Sequence, residues 1–270
     1  MTIVMNNRFI SEKIYLFTLF IWVVVASLVT TTYFIRLEGF LSLYRVLLYF
    51  TIVMILIKEF INLPKTLYYF RFHWKPLLIA LAFLFSMLIV SKNRDGLLDI
   101  NVLLLVFSAR DIDFRKLLGT FSFATFLVLV LTIFASNKGV ISNMFMRADG
   151  GYRFSLGFNY VSFASQRLFF ALCSYLMFRG KKISYVELLA LLLATIYLYQ
   201  QTSTTSPFYL SILLLSYTLF SVKIFKKDFI IENFGMKMIA NYGFIIALII
   251  LLYFCFYSSG NLFHLVDQFT

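Results

Sequence analysis

Apolar residues run along this chain in long blocks, with neither the period of two of a half-buried strand nor the single stripe of a surface helix. The blocks cover 14–34, 41–57, 76–90, 97–108, 117–135, 160–178, 183–199, 208–221 and 239–257. A helix needs about 20 mostly apolar residues to cross a hydrocarbon layer. The pattern therefore predicts an all-α fold, a polytopic transmembrane helix bundle of about nine spans forming one integral membrane domain over 1–270. The short block 97–108 carries Asp99 and reads either as a crossing or as a tilted, part-buried or re-entrant segment. The first block follows Arg8 and Lys13, but it exceeds the apolar core of a signal peptide and lacks a clean small-x-small cleavage site, so a retained helix is expected. Pro76 and Pro207 stand at or beside the first turn of predicted helices, where a missing N–H costs nothing, and Pro64 falls in a connection.

Composition sharpens this picture. With 61% hydrophobic, 20% aromatic and 13% charged residues, little is left for a water-soluble domain. The net charge of +12 sits in short turns between blocks, where it sets orientation and does not call for nucleic acid. Placing the N-terminus inside assigns 16 Lys and Arg residues to inner segments and 6 to outer ones. Every inner segment contributes, so 97–108 must cross, and 136–159 and 200–207 become outer loops. Cys173 and Cys255 lie within apolar blocks and read as packing residues. No internal repeat supports an inverted-repeat transporter.

Candidate chemistry centres on 152–207. Arg167 lies inside an apolar block, a placement that costs roughly 2.5–3.5 kcal/mol on insertion scales and usually faces a partner or a wet cavity. Arg147 and Arg153 precede that block, at the face opposite the basic turn 179–182. A planar fork of donors matches phosphate oxygens in pairs, so Arg147, Arg153 and Arg167, with Gln166 beside the last, are candidate substrate-binding residues. The plainer reading makes Arg147 and Arg153 head-group contacts and Arg167 a pin between helices; it leads for Arg147, is level for Arg153, and trails for Arg167. Asp99 and Glu187 are acidic residues within blocks, and either could serve as a general base. Asp99, nearer the outer face, is the catalytic candidate; Glu187, close to Lys181 and Lys182, is expected in an ion pair. Asp111 and Asp113 have the spacing of a metal and nucleotide-sugar site, but beside Arg110, Arg115 and Lys116 they read as salt-bridged turn residues. No metal-ligand cluster or phosphate loop occurs, and His73 and His264 are isolated, so neither metal nor cofactor is expected. Aromatic residues such as Tyr152, Tyr160, Tyr197, Tyr199, Phe208 and Tyr209 fall near predicted interfaces, where they anchor helices or line a sugar groove.

The order of features resembles the Wzy-type repeat-unit polymerases of bacterial capsule and exopolysaccharide loci. The resemblance rests on the run Arg153-Phe154-Ser155-Leu156-Gly157-Phe158, the Lys-Lys-Ile-Ser turn at 181–184 with Glu187, and a Thr/Ser-rich loop leading into Pro207-Phe208-Tyr209-Leu210. It covers roughly 100–265 and follows topology and order more than identity. It implies a multi-pass glycosyltransferase of the bacterial cytoplasmic membrane that transfers a growing glycan from undecaprenyl pyrophosphate onto another lipid-linked repeat unit. It also implies lipid-linked oligosaccharide and other polysaccharide-assembly proteins as partners, and arginines near the donor pyrophosphate. Arg153 matches the first expected arginine; the second falls at Thr205, which cannot supply charge. Relatives continue into a large outer loop and further helices, so the resemblance leads us to expect a polymerase cut short. A transporter or flippase of the same lipid-linked sugars is the competing expectation, and a non-catalytic membrane subunit is a third.

Overall fold

A computed structural model describes residues 2–33, 39–62, 78, 81, 85, 96–148 and 151–224. The expected crossing 239–257, most of 76–90, Cys255, His73 and His264 lie outside the described residues. The chain forms two units, Met1–Leu215 and Ser216–Thr270. In order, the described helices are α1 (Thr2–Leu28), α2 (Phe40–Ile61), α3 (Gly96–Ser108), α4 (Phe114–Asn137), α5 (Phe163–Arg179), α6 (Tyr185–Thr202) and α7 (Thr205–Thr218). A 3-10 turn over Ala109–Asp111 extends α3, and the six residues Leu219–Ile224 after α7 are π-helical.

The chain is mostly helical, but not all-α as the apolar blocks predict. Between α4 and α5 lies an antiparallel hairpin of β1 (Phe145–Ala148) and β2 (Gly151–Phe154), with Phe145 paired to Phe154 and Ala148 to Gly151. Two residues separate the last pair, and they read Asp149-Gly150, the dipeptide favoured in a two-residue turn. Helix boundaries also shift for identifiable reasons. Helix α1 stops at Leu28, short of the predicted 34, because Thr30 and Thr31 hydroxyls donate to the Ser27 and Leu28 carbonyls (2.7 Å each) and Thr31 pairs with Phe158. The predicted loop 200–207 shrinks to two residues: α6 runs to Thr202, Ser203 takes the left-handed conformation (φ +49°), and α7 starts at Thr205. Pro207 then sits in the first turn of α7, as expected.

Helix α1 packs on both α2 and α4; α2 also packs on α3, α4 most extensively on α5, and α5 on α6. Tyr15, Leu19 and Val23 of α1, Ile55 of α2, Leu105 of α3 and Ala124 of α4 form one shared cluster. The α4–α5 seam is built from small residues. Ala124 and Ala171 are fully buried, Ser122 donates to the Ala171 carbonyl (3.3 Å), and Gly119 meets the Phe178 ring. Large apolar side chains point the other way: Phe123, Val130, Leu131, Phe134 and Phe170 are all more than half exposed. Polar and small residues within and bulky apolar residues without is the arrangement a lipid-facing bundle requires, because close backbone approach takes the place of the hydrophobic drive. Three stretches, Phe9–Leu28, Phe114–Asn137 and Thr205–Val222, are long and apolar enough to cross a membrane. They mark a membrane protein, although the described residues do not carry nine such helices. The 13-residue α3 falls short of that length.

Helix directions follow from named contacts. Glu12 pairs with Lys116, and Phe20 stacks on Phe123, so α1 and α4 run parallel. Asn101 donates to the Leu48 carbonyl (3.3 Å), and Lys58 to the Ser108 carbonyl (2.6 Å), so α2 and α3 are parallel too. Helix α2 therefore ends where α3 ends, the relation that an expected crossing between them would produce.

Candidate functional site at the hairpin end of the helices

The run Arg153 to Phe158 ties the chain together. Leu156, Gly157 and Phe158 are buried, Phe158 completely. Thr32 N–H donates to the Gly157 carbonyl (2.8 Å) and Asn159 N–H to the Thr30 carbonyl (2.9 Å), which fastens the end of α1. The Thr32 hydroxyl adds bonds to the Ser142 and Gly157 carbonyls. Ser155 closes the base of the hairpin: its N–H donates to the Met144 carbonyl (2.8 Å), and its Oγ accepts from Met144 N–H (3.0 Å). Asn143 Oδ1 accepts from Leu156 N–H (2.9 Å). Five of the six residues of the Arg153–Phe158 run thus serve local architecture, and Arg153 heads the run with its Nε buried and without a hydrogen-bond partner.

The antiparallel register sets Arg153 opposite Met146 and Arg147 opposite Tyr152. Directly opposed residues share a face and successive ones alternate, so positions 147 and 153 belong to opposite faces of the hairpin, and the expected grouping of all three arginines is not built by this strand pair. Arg167 lies in the first half of α5, half-buried, and its Nη2 donates to the Ala26 carbonyl of α1 over 3.4 Å. Ala26 is one turn before the residues that grip Gly157 and Asn159, so Arg153 and Arg167 belong to the same end of the helices. Gln166 is exposed and donates to Ser162 Oγ (3.2 Å), a contact within its own turn. Thr205 is exposed as the first residue of α7. Beside it runs a buried chain of hydroxyls, Ser165 to Thr202 (2.8 Å) and Thr202 to Thr204 (2.7 Å), which joins α5, α6 and the start of α7. Tyr199 stacks on Phe208 at 4.2 Å across the same junction. Asp99 belongs to the first turn of α3, and its side chain lies outside the described residues.

A second polar centre, which the apolar-block reading passes over, occupies the opposite end. Lys58 is fully buried; its Nζ donates to Glu59 Oε1 (2.9 Å) and the Ser108 carbonyl, and lies 5.8 Å from the Tyr15 ring. Glu59 also receives Arg110 Nη2 (2.5 Å) and the Ser108 hydroxyl (2.6 Å). Next to this network Ser11, Glu12, Asn62, Arg110, Asp111 and Asp113 line an open cavity of about 450 Å³. Asp113 caps α4 by accepting from Arg115 N–H (3.0 Å), and Asp111 lies 4.0 Å from Arg110 Nε, in keeping with turn residues. Glu187 pairs with Arg179 (2.7 Å), forms a capping box with Ser184 and accepts from the Tyr175 hydroxyl (2.6 Å). The sequence signal for this centre is the Lys58-Glu59 pair in the last turn of an apolar helix.

Among the described residues no group of three His, Cys, Asp or Glu residues could hold a metal ion. No protein-family model matches the chain, and neither do curated proteins nor solved structures.

Proposed function

We propose that this protein is a polymerase of undecaprenyl pyrophosphate-linked oligosaccharide repeat units, acting from the outer face of a bacterial cytoplasmic membrane. In this reading the helices cross several times, the hairpin end faces outward, and the Lys58 end faces the cytoplasm. The supporting observation is the state of the two arginines at one end: Arg153 with a buried Nε and no partner, and Arg167 with one long bond to a neutral carbonyl. A guanidinium in such a setting gains most from a dianionic ligand, and a lipid-linked diphosphate delivers one at membrane depth. Thr205, at the N-terminus of α7, stands where the resemblance expects a further arginine, and a helix start itself favours phosphate. The transfer breaks the bond between glycan and diphosphate and joins the glycan to a hydroxyl of the acceptor unit. Asp99 is the proposed proton acceptor.

One observation favours transport as a second reading, since charged groups and a cavity also occupy the opposite end of the same helices. The two readings separate in cells that depend on this protein for polymer. With Arg153→Ala or Arg167→Ala, polymerisation predicts single repeat units at the surface and no long chains by gel electrophoresis. Loss of the single units themselves would point to transport, and unchanged chain lengths would remove the arginines from either role.

A further inference from the structure

The bulky residues of α4 face outward in one stripe. Phe123, Val130, Leu131 and Phe134 recur at helical spacing and are each more than half exposed. Lys138 closes the stripe: exposed and one turn beyond Phe134, it holds its Nζ 5.8 Å from the centre of the Phe134 ring. An apolar stem laid along the last ring of a lipid-facing stripe, with the ammonium at its tip, is how a lysine marks the level where hydrocarbon gives way to head groups. The 24 residues of α4 span about 36 Å, somewhat more than the roughly 30 Å of a hydrocarbon core, which puts that level at the same point. The hairpin starts there.

Apolar exposure continues past it. Val140, Phe145, Tyr152 and Tyr160 are each more than half exposed, and Met144 and Met146 more than a third. Strand register puts Phe145 and Tyr152 on one face of the hairpin, where their rings meet edge-on at 5.5 Å, and Met146 on the other. The Ser155–Met144 and Leu156–Asn143 bonds fasten its base, and β2 also touches α6, so the patch is held beside the helices. An exposed apolar patch of this kind marks a contact surface. Lying just beyond a lysine-closed lipid stripe, it continues the lipid contact of α4, and rings with polar tips such as Tyr152 and Tyr160 suit the boundary between lipid and water. The backbone limits its depth. Among the described residues the hairpin pairs with no further strand, so its edges carry N–H and C=O groups that need water; the interfacial layer can hold it, and the hydrocarbon centre cannot.

We propose that the 145–154 hairpin rests in the interfacial layer of the bilayer, with Phe145 and Tyr152 against acyl chains and Lys138 among the phosphates. The segment 136–159, expected as an outer loop, is then a membrane contact. Its partner is the lipid surface, and the assignment depends neither on the polymerase reading nor on which way round the chain inserts.

The test uses the full chain in lipid nanodiscs, which are open to solutes on both faces. With Cys173 and Cys255 replaced by alanine, single nitroxide labels are attached at Phe145→Cys and Tyr152→Cys, and power-saturation spectra read their collisions with oxygen, which concentrates in lipid, and with a water-soluble nickel chelate. Phe134→Cys supplies the lipid reference and Lys181→Cys the water reference. The labels at 145 and 152 should meet the nickel chelate several-fold less often than the label at 181, while their collisions with oxygen stay close to those at 134. Nickel collisions as frequent as at 181 would put the hairpin in water and overturn the proposal. Rare collisions with both reagents would overturn it too, since protein would then cover the patch, and dipolar broadening between labels at 145 would identify that cover as a second copy. An unfolding midpoint equal to that of the unlabelled chain shows that each variant is folded, and Val140→Cys supplies a third position, with the same expected result, if either substitution disturbs the fold.

Discussion

Gly157 shows why one residue of the Arg153–Phe158 run admits no substitute. Its φ of +88° is left-handed, and a β-carbon would fall 2.6 Å from Ile141 Cδ1. Alanine there combines left-handed strain of about 1–2 kcal/mol with overpacking of about 1–3 kcal/mol. Gly157→Ala should therefore lose about 2–5 kcal/mol, measured as a lower unfolding midpoint in detergent. An unchanged midpoint would mean that the Thr32 and Asn159 bonds do not hold this segment in place. Leu156, also at positive φ (+54°), is the costlier placement for its residue type and is 1% exposed, so burial of its side chain must offset the backbone strain. At the opposite end, Lys58 is tolerable inside the bundle because Glu59, Ser108 and the Tyr15 ring surround it, and removal of its carboxylate partner would leave a buried charge.

At the level of elements, the seam between α4 and α5 depends on small side chains. Ala171 is fully buried, and its carbonyl accepts the Ser122 hydroxyl. Leucine at this position would force the helices apart and break that bond, so Ala171→Leu should cost about 1–3 kcal/mol. Its neighbour Phe170 is 55% exposed, and Phe170→Leu should be close to neutral. Equal melting temperatures for the two variants would mean that α4 and α5 do not pack closely. The turn joining α5 to α6 is stiffened differently, by the Ser184–Glu187 capping box and the Glu187–Arg179 pair across a 3-10 turn over Gly180–Lys182. The hairpin escapes a reading based on apolar blocks because its strands are four residues each, although Asp149-Gly150 between Phe145-Met146 and Tyr152-Arg153 carries its signature.

On the scale of the whole molecule, orientation is the open physical variable, and basic residues set it. Lys138, just past the end of α4, and Lys181, in the turn after α5, lie at opposite ends of this helix pair, and both are exposed. With Cys173 and Cys255 replaced by alanine, Lys138→Cys should react with a membrane-impermeant maleimide in intact cells and Lys181→Cys only after permeabilisation. The reverse pattern would invert the proposed topology and place Arg153 and Arg167 on the cytoplasmic side. Apolar blocks and their length by themselves determine that the chain is helical and built for a membrane, because a backbone in lipid must satisfy its own hydrogen bonds. Charge between the blocks determines the expected orientation, and the position of Arg167 inside an apolar block follows from counting alone. The tertiary structure decides what counting cannot. It selects Ala26 as the partner of Arg167, sets positions 147 and 153 at opposite parity in a hairpin, gathers Lys58, Glu59 and Arg110 from distant parts of the chain, and leaves the buried hydroxyls of Ser27, Thr132 and Ser136 without a hydrogen-bond partner. Those outcomes depend on helix register and strand parity. A shift of one residue redirects a side chain by about 100° in a helix or to the other face in a strand, and composition and block length do not encode it.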